Sequence, residues 1–236
     1  MTETASSPPE IGDTRASEIA QLIRQAKAVF FDHNDTLVGT MQAKWAQYKY
    51  IASKFYGKRL SNEELRLHWG LPSTSLLRLL YETDHVDIAT SYKLATRDRF
   101  PKFLFKDTLA TLKALRMAGK KIGIVTASTL SSIQYDFETL RIPRLMLDYL
   151  QTEDDTIFHK PDPRVFDPAV KWLAQQNIEP SEVVYIGDHL RDLNAARGAG
   201  FRFIGISNGV VSVDEFLKLG VPAIARLSEL IKNNFL

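Results

Sequence analysis

Short, uninterrupted apolar runs recur along this chain, and a polar or charged residue follows each of them. Residues 28–31, 122–125 and 183–186 are such runs, and a shorter one lies near 149–151. Runs of this kind are typical of parallel strands buried on both faces, whereas strands with one wet face alternate apolar and polar residues. The pattern predicts these four strands in one parallel sheet, with a further strand over 201–206.

Between the strands, apolar residues recur at the three- and four-residue spacing of amphipathic helices. Helices are predicted over 16–27, around 109–115 with a stop at Gly119, over 133–140, over 165–173 and in a segment that ends near Gly200. Strands that alternate with helices predict an α/β fold, here a doubly wound parallel sheet with a Rossmann-like core. In such sheets, ligands bind at the carboxyl ends of the strands.

The segment after the first strand has a different character. Residues 39–105 contain two of the three tryptophans and show helical spacing of apolar residues. We predict that this segment is a helical cap domain above the strand ends, inserted into a core domain made of 15–38 and 106–236. Residues 1–14 are rich in Thr, Ser, Pro and acidic side chains, which predicts a flexible tail.

The composition narrows the possible classes of function. The 236 residues are 44% hydrophobic and 25% charged, as in a soluble globular protein, and a net charge of +2 gives no indication of nucleic acid or a membrane surface as a partner. The absence of cysteine excludes disulfides, thiolate zinc sites and cysteine nucleophiles. No apolar run is long enough for a membrane span or a signal peptide, so a cytoplasmic protein, either a monomer or a homodimer, is the expectation.

The residues that follow the apolar runs form a chemically coherent set. They are Asp32-His-Asn34-Asp-Thr36 after the first run, Thr126 after the second, His159-Lys160-Pro161 after the third, and Gly187-Asp188 with Asp192 after the fourth. Because the carboxyl ends of parallel strands meet at one edge of a sheet, we expect these side chains to lie together. A carboxylate, a hydroxyl, a lysine and a second group of carboxylates are suited to phosphoryl transfer.

In the order and spacing of these residues, and in the position of the insert, the chain resembles the haloacid dehalogenase-like hydrolase superfamily from about residue 25 onward. Most members remove phosphate from small molecules with an aspartate nucleophile and Mg²⁺. The resemblance implies that Asp32 attacks phosphorus to give an aspartyl-phosphate, that Thr126 hydrogen-bonds a phosphoryl oxygen, and that Lys160 pairs with the nucleophile and the phosphoryl group. The expected partner is a small phosphorylated substrate.

Each of these residues has a simpler explanation when it is taken alone. Asp32 and Thr36 could cap the turn after a strand, and Thr126 could cap a helix. A lone loop lysine such as Lys160 is usually solvated. The combination of all four segments in this order is what favours the catalytic interpretation.

Asp188 and Asp192 are the candidates for holding a metal. If a helix begins near Asp188, the two carboxylates lie one turn apart on one face and suit a hard cation. The competing interpretation is an N-cap aspartate followed by an acidic first turn. Together with the resemblance, the preceding Gly187 favours the metal. The implied ligands of Mg²⁺ are Asp32, the backbone carbonyl of Asn34, Asp188 and Asp192, with water and the substrate phosphate.

Asn34 departs from the pattern of the phosphatases. The family has an aspartic acid at this position, which protonates the leaving oxygen and then deprotonates the water that cleaves the intermediate. An amide cannot exchange a proton at useful pH, and the loss of a positioned acid or base costs about 10²- to 10⁴-fold in rate. We therefore expect Asn34 to leave phosphate and metal binding intact and to affect turnover.

Several explanations of Asn34 stay open. The chain could be an engineered variant of a phosphatase, or a natural enzyme whose substrate has a good leaving group or whose cap supplies the proton from Lys44 or Lys49. The metal-free 2-haloacid dehalogenases of this fold also lack the second aspartate, but Gly187-Asp188 favours the magnesium-dependent branches. A phosphonate-cleaving hydrolase with a cap lysine and a phosphate-binding pseudo-enzyme are further alternatives.

Substrate selection is expected in the cap. The candidate contacts are Lys44, Trp45, Tyr48 and Trp69. Aromatic residues at helical spacing more often form the core of such a domain, and this is the competing interpretation. His33 and His189 adjoin the motifs, but packing or surface positions are expected for both.

Overall fold

The computed structural model describes residues 11–71 and 73–232. The helices are α1 (Ile11–Gln25), α2 (Met41–Tyr56), α3 (Asn62–His68), α4 (Ser73–Tyr81), α5 (Val86–Thr96), α6 (Thr108–Met117), α7 (Leu130–Thr139), α8 (Asp167–Gln175), α9 (Leu190–Gly198) and α10 (Val213–Lys218). The strands are β1 (Ala28–Phe31), β2 (Val38–Gly39), β3 (Phe103–Leu104), β4 (Lys121–Val125), β5 (Tyr149–Gln151), β6 (Val183–Gly187), β7 (Arg202–Ile206) and β8 (Ala223–Ile224).

Six strands form one parallel sheet in the order β5-β4-β1-β6-β7-β8. Strand β1 lies in the centre, where Phe31 pairs with Ile124 of β4 and with Ile186 of β6. The chain builds the sheet outward from β1 in both directions, so the strand order reverses between β1 and β6. The predicted doubly wound α/β fold is confirmed, and each predicted strand lies within one residue of its observed bounds.

Successive side chains of the strands pack into two separate apolar layers, because they point to opposite faces of the sheet. Val29 and Phe31 pack into the layer that contains residues of α1 and α6. Ala28 and Phe30 pack into the opposite layer, which contains residues of α8, α9 and α10. Burial on both faces explains the uninterrupted apolar runs in the sequence. Each fully buried large apolar side chain contributes about 1.5–3 kcal/mol.

Helices α2 to α5 form a separate layer with its own apolar cluster. Its buried members include Ile51, Leu65 and Leu77. The insert leaves and rejoins the core through an antiparallel ribbon, in which Gly39 of β2 pairs with Phe103 of β3. The ribbon coincides with the ends of the predicted cap, although the division into domains itself stays a prediction.

The N-terminal helix is longer than the sequence pattern predicts. It begins at Ile11, not at Ala16, and ends at Gln25, so residues 11–14 of the predicted tail are helical. Burial of Ile19 and Ile23 anchors the helix to the sheet, and no proline between 11 and 25 stops it from extending toward the N-terminus. The rest of the predicted tail, residues 1–10, lies outside the described residues.

The helix predicted over 165–173 is divided in two. A 3₁₀ turn covers Pro163–Phe166, and α8 follows from Asp167. The side chain of Asp162 accepts a hydrogen bond from the backbone N–H of Arg164 at 2.9 Å and thereby starts the turn. Periodicity of apolar residues does not distinguish a 3₁₀ turn from the first turn of an α-helix, which explains the difference.

Within residues 11–71 and 73–232, none of the helices combines the length and the apolar character that crossing a membrane requires.

Candidate active site

The central feature of the site is a buried ion pair at the point where the strand order reverses. Asp32 directly follows β1, and its backbone N–H donates to the carbonyl of Ile186 in β6 at 2.8 Å. The Nζ of Lys160 lies 2.8 Å from Oδ1 of Asp32, and both side chains are buried. The predicted nucleophile and the predicted lysine, 128 residues apart in sequence, therefore meet.

All three N–H donors of the Lys160 ammonium group have partners. Besides Asp32, its ammonium group contacts Oδ1 of Asp192 at 2.6 Å and donates to the hydroxyl of Tyr185 at 2.6 Å. Burial lowers the pKa of Lys160, but the charges of Asp192 and Asp32 outweigh burial and hold that pKa well above its usual value. Lys160 is thus a fixed positive charge. The sequence did not indicate Tyr185, since an aromatic residue within an apolar run gives no sign of its hydroxyl contacts.

The helix after β6 begins two residues after Asp188, so Asp188 itself lies outside it. Its N-cap is His189, whose Nδ1 accepts from the backbone N–H of Arg191 at 3.1 Å, and α9 starts at Leu190. Asp192 is the third helical residue, and its Oδ2 accepts from the backbone N–H of His189 at 3.2 Å. The expectation that the two carboxylates lie one turn apart on one helix face is therefore wrong, because His189 is still extended backbone.

Asp192 therefore contacts Lys160 and caps its own helix. Burial raises its pKa to about 6, although Lys160 opposes the shift. Its assignment as a metal ligand stays a prediction.

Asp188 directly follows β6 and is buried beside the loop that follows β7. A Cβ at Gly209 would collide with the Asp188 carboxylate, so only glycine allows the loop to approach this closely. Burial, followed by the negative charges of Asp192 and Asp32, raises the pKa of Asp188 well above its usual value. No three His, Asp or Glu side chains of residues 11–71 and 73–232 are gathered into a ready-made metal centre.

The charge balance of the site nevertheless fits a divalent cation. Asp32, Asp188 and Asp192 are all buried around a single lysine, which leaves negative charge without compensation. Buried carboxylates of this kind are paired with cations or coordinate metals. Their donor atoms are oxygens, which are the ligands that Mg²⁺ prefers. The residues present therefore fit the predicted metal.

The backbone N–H and carbonyl of Asn34 make no backbone hydrogen bond of their own among the described residues, although a β-bridge is centred on Asn34. The bridge between Asn34 and Val38 is made by neighbouring groups: the N–H of Val38 donates to the carbonyl of His33 at 3.1 Å, and the N–H of Asp35 donates to the carbonyl of Val38 at 2.6 Å. Among the backbone hydrogen bonds of the described residues, none reaches the carbonyl of Asn34. This carbonyl is thus available as the metal ligand that the sequence predicts.

The side chain of Asn34 has a defined orientation. Its Nδ2 donates to Oγ of Ser128 at 2.8 Å, whereas its Oδ1 is buried without a hydrogen-bond partner among the described residues. The unpaired amide oxygen can accept a hydrogen bond from water or from a substrate hydroxyl. Sequence reasoning missed Ser128, and its position two residues after Thr126 was the only available signal.

Thr126 directly follows β4 at the same edge of the sheet. Its backbone N–H donates to the carbonyl of Gln151 at 3.0 Å, and its Oγ1 accepts from the N–H of Ser128 at 3.2 Å. The hydroxyl therefore organises the turn before α7, but the N-cap of that helix is Thr129, so the simpler interpretation of Thr126 as a helix cap is wrong. Because an oxygen can accept while its O–H donates elsewhere, this contact is compatible with donation to a phosphoryl oxygen.

His33 is buried in a second charged cluster next to the nucleophile. Its Nε2 lies 3.0 Å from Oδ2 of Asp136, and Nζ of Lys102 lies 2.6 Å from the same oxygen. Burial raises the pKa of Asp136, but the hydrogen bond from His33 and the charge of Lys102 bring the net shift below the usual value. Lys102 directly precedes β3, so this cluster connects the cap ribbon to the loop that carries the nucleophile.

The insert contacts the core at the loop that carries Lys160. Arg191 donates through Nη1 to the carbonyl of Gly70 at 2.6 Å and through Nε to the carbonyl of Lys160 at 3.0 Å. Gly70 has a φ of 87°, and a Cβ there would lie 3.3 Å from Cδ of Arg191. His189 also lies against this glycine, because its Nε2 would be 3.5 Å from the same Cβ. Neither Arg191 nor Gly70 was among the predicted site residues.

The four cap residues that the sequence predicts as substrate contacts are three aromatic residues and one lysine. Trp45, Tyr48 and Trp69 all pack with the apolar cluster of the cap, as the competing interpretation for aromatic residues expects. Trp69 packs edge-on against Trp45 with ring centroids 5.9 Å apart, next to the loop that Arg191 binds. The half-buried Lys44 lies with Nζ 5.9 Å from the centroid of Trp69. Burial, together with the nearby charges of Lys102 and Lys93, lowers the pKa of Lys44 to about 7.

The chain combines a doubly wound sheet, a buried carboxylate and lysine at its switch point, and a helical insert after the first strand, features of a class of hydrolases built on a Rossmann-like sheet. Residues 29–206 match the haloacid dehalogenase-like hydrolase family, and the chain belongs to this family. The match confirms the resemblance seen in the sequence and the predicted enzyme class, a hydrolase of the phosphatase type.

Relatives with named activities support this class. The chain is 23% identical over 186 residues to pyrophosphatase PpaX of Bacillus velezensis, covering 78% of this chain and 84% of that protein. It is 30% identical over 107 residues to phosphoglycolate phosphatase of Escherichia coli K12, covering 45% and 41%. The crystal structure of CbbY from Rhodobacter sphaeroides in complex with phosphate has a TM-score of 0.73 at 19% identity, covering 87% and 96%, which shows the shared fold.

The substitution Asp136→Asn is expected to destabilise the protein by about 3 kcal/mol, because it leaves the half-buried Lys102 and the buried His33 without their anion. Denaturation with urea, followed by tryptophan fluorescence, measures the free energy of unfolding. Glu138→Gln, an exposed change two residues along α7, is the control and should stay within about 0.5 kcal/mol of the parent protein. Equal effects of the two substitutions would show that the cluster does not stabilise the fold.

Proposed function

We propose that this chain is a magnesium-dependent phosphatase that acts on a small phosphorylated metabolite through an aspartyl-phosphate on Asp32. The contact of 2.8 Å between Lys160 and Asp32, buried at the switch point of the sheet, is the observation that carries the proposal. A carboxylate in this position can attack phosphorus only if the phosphate charge is neutralised, and a permanently charged lysine supplies part of that neutralisation.

Each oxygen of Asp32 has a separate part in this scheme. Oδ1 is held by Lys160, while Oδ2 makes no hydrogen bond to the described residues and is the candidate attacking atom. The three contacts of Lys160 fix its position, so the ammonium group lies beside both the nucleophile and the incoming phosphoryl oxygens. Thr126 supports the phosphoryl group from the neighbouring strand. Preorganised donors of this kind stabilise negative charge as it develops.

Mg²⁺ would be held by Asp32, the carbonyl of Asn34 and Asp188, with Asp192 as the predicted fourth contact. When bound, it supplies positive charge that neutralises the phosphate and lowers the barrier to attack by an anion. The uncompensated buried carboxylates support this assignment. The two relatives named above as a pyrophosphatase and a phosphoglycolate phosphatase support phosphate esters or anhydrides as the substrate class.

Asn34 favours a second candidate function, a phosphate-ligand binder without turnover. The amide holds Ser128 and cannot exchange protons, so binding does not by itself require hydrolysis. The two candidates make the same prediction for metal and phosphate binding, and opposite predictions for product release.

Magnesium is expected to raise the melting temperature of the parent protein by several degrees, because a ligand present at 100 times its Kd stabilises the folded state by about 2.7 kcal/mol. Asp188→Asn should abolish most of this shift. Asp84→Asn, which alters an exposed carboxylate in the cap, is the matched control and should keep it. A full magnesium-dependent shift in Asp188→Asn would remove Asp188 from the metal site.

Asn34→Asp is expected to hydrolyse an aryl phosphate in the presence of Mg²⁺ at least as fast as the parent, because a carboxyl group can exchange the proton that hydrolysis of the intermediate requires. Replacing a wholly missing acid or base raises a rate by about 10²- to 10⁴-fold. Phosphate release with and without a chelator provides the measurement. Asp32→Asn in the same background should be inactive. If Asn34→Asp releases no phosphate from a broad panel of esters, the phosphatase proposal fails.

A further inference from the structure

Asn34 leaves the reaction without an obvious source of protons. Its Nδ2 is committed to Ser128, and an amide does not titrate in the useful range of pH. Lys160 cannot take this role, because its three donors already contact Asp32, Asp192 and Tyr185. A proton for the leaving oxygen must therefore come from another group above the strand ends.

Helix α2, which carries Lys44, is joined by hydrogen bonds to the loop that carries Asn34. Oδ1 of Asp35, the next residue, accepts from the backbone N–H groups of Thr40 and Met41, each at 2.8 Å, and so fixes the start of α2. Lys44 lies one turn along this helix, and its N–H donates to the carbonyl of Thr40 at 2.9 Å. Side chains of a helix lean toward its N-terminus, which directs Lys44 toward the core.

Two further contacts locate the ammonium group of Lys44. It lies 5.9 Å from the ring centroid of Trp69, and the neighbouring Gly70 is bound through Arg191 to the loop of Lys160. Lys102, whose partner Asp136 holds His33 beside the nucleophile, is also near enough to oppose the charge of Lys44. Lys44 is therefore near both the cap loop and the charged cluster that adjoins Asp32.

The other lysines of this region are occupied. Nζ of Lys93 donates to Ser73 at 2.7 Å, Nζ of Lys102 contacts Asp136 at 2.6 Å, and Nζ of Lys49 donates to Asn62 at 2.6 Å. By contrast, Nζ of Lys44 makes no hydrogen bond or ion pair with the side chains and backbone of residues 11–71 and 73–232.

The charged groups around Lys44 set its titration. Lys102, next to β3, and Lys93 on α5 oppose its charge, whereas Asp35 and Asp136 favour it. Together with burial, they lower the pKa of Lys44 to about 7, close to the pH at which this amine can both donate and accept a proton.

We propose that Lys44 is the catalytic acid and base of this chain, in the role that Asn34 cannot perform. The inference rests on the proposed phosphatase function. It assigns the missing proton transfer to the cap and excludes Lys49, the other cap lysine that the sequence suggested.

The proposed steps balance as follows. Asp32 forms a bond to phosphorus while the bond from phosphorus to the leaving oxygen breaks, and the Lys44 ammonium gives its proton to that oxygen. The neutral Lys44 amine then takes a proton from water as the water oxygen attacks phosphorus. The bond from phosphorus to Asp32 breaks, inorganic phosphate leaves, and both the Asp32 carboxylate and the Lys44 ammonium are restored.

The test uses the full chain with Asn34 in place and two substrates, an aryl phosphate and an alkyl phosphate such as glycerol phosphate. Lys44→Met should lower kcat for the alkyl ester by about 10²- to 10⁴-fold, because a poor leaving group needs the proton. The loss of kcat/KM for the aryl ester, which reports the attack of Asp32 alone, should be much smaller, whereas hydrolysis of the shared aspartyl-phosphate should slow for both esters. Lys49→Met, on the same helix, is the matched control and should leave both rates unchanged.

Two further readouts separate proton transfer from simple charge or packing. In the parent, kcat for the alkyl ester should fall as the pH rises through about 7, since Lys44 then loses its proton, and Lys44→Met should lack this limb. Lys44→Arg keeps the charge but cannot deprotonate, so it should retain KM and lose kcat. Adding Asn34→Asp to Lys44→Met should restore turnover, because a carboxylic acid replaces the lost group.

The outcomes distinguish this inference from the proposed function. If Asn34→Asp is active while the parent shows no turnover of either ester, or if Lys44→Met matches the parent on both, Lys44 is not the proton donor and the phosphatase proposal stands. If Asn34→Asp is also inactive on every ester, the proposed function itself is wrong.

Discussion

The site depends on one electrostatic constraint, the accumulation of buried carboxylates around a single lysine at the centre of the sheet. Lys160 contacts Asp32 and Asp192 within 2.8 Å, while Asp188 receives no such compensation. Charges buried in this way are costly unless they are paired, so the arrangement is stable only with further positive charge or with protonated carboxyl groups. This excess of buried negative charge destabilises the fold. The same excess favours the binding of a cation, which in turn can hold a phosphate.

The fold was largely predictable from the sequence because the strands of a doubly wound sheet are buried on both faces. The runs ending at Phe31, Val125 and Ile186 have no polar interruptions and therefore mark the strands closely. Helix starts were harder to predict. The extended His189 and the turn beginning at Pro163 depend on single capping side chains, which periodicity does not reveal.

The candidate site was predictable only where residues follow strands. Asp32, Thr126 and Asp188 could be placed together because parallel strands end at one edge of the sheet. The contacts of Asn34 with Ser128 and of His33 with Asp136 span 94 and 103 residues, and no local pattern encodes them. The environment of Lys44 likewise depends on how the cap packs against the core, and this information is absent from the residue spacing of α2.

The most direct test of the account is mass spectrometry of the parent protein after rapid quenching with a phosphate ester and Mg²⁺. The account predicts a phosphoryl adduct on the peptide that contains Asp32, and its loss in Asp32→Asn with Lys160 unchanged. Hydrolysis of the ester without any adduct on Asp32, or an adduct on another residue, would contradict it.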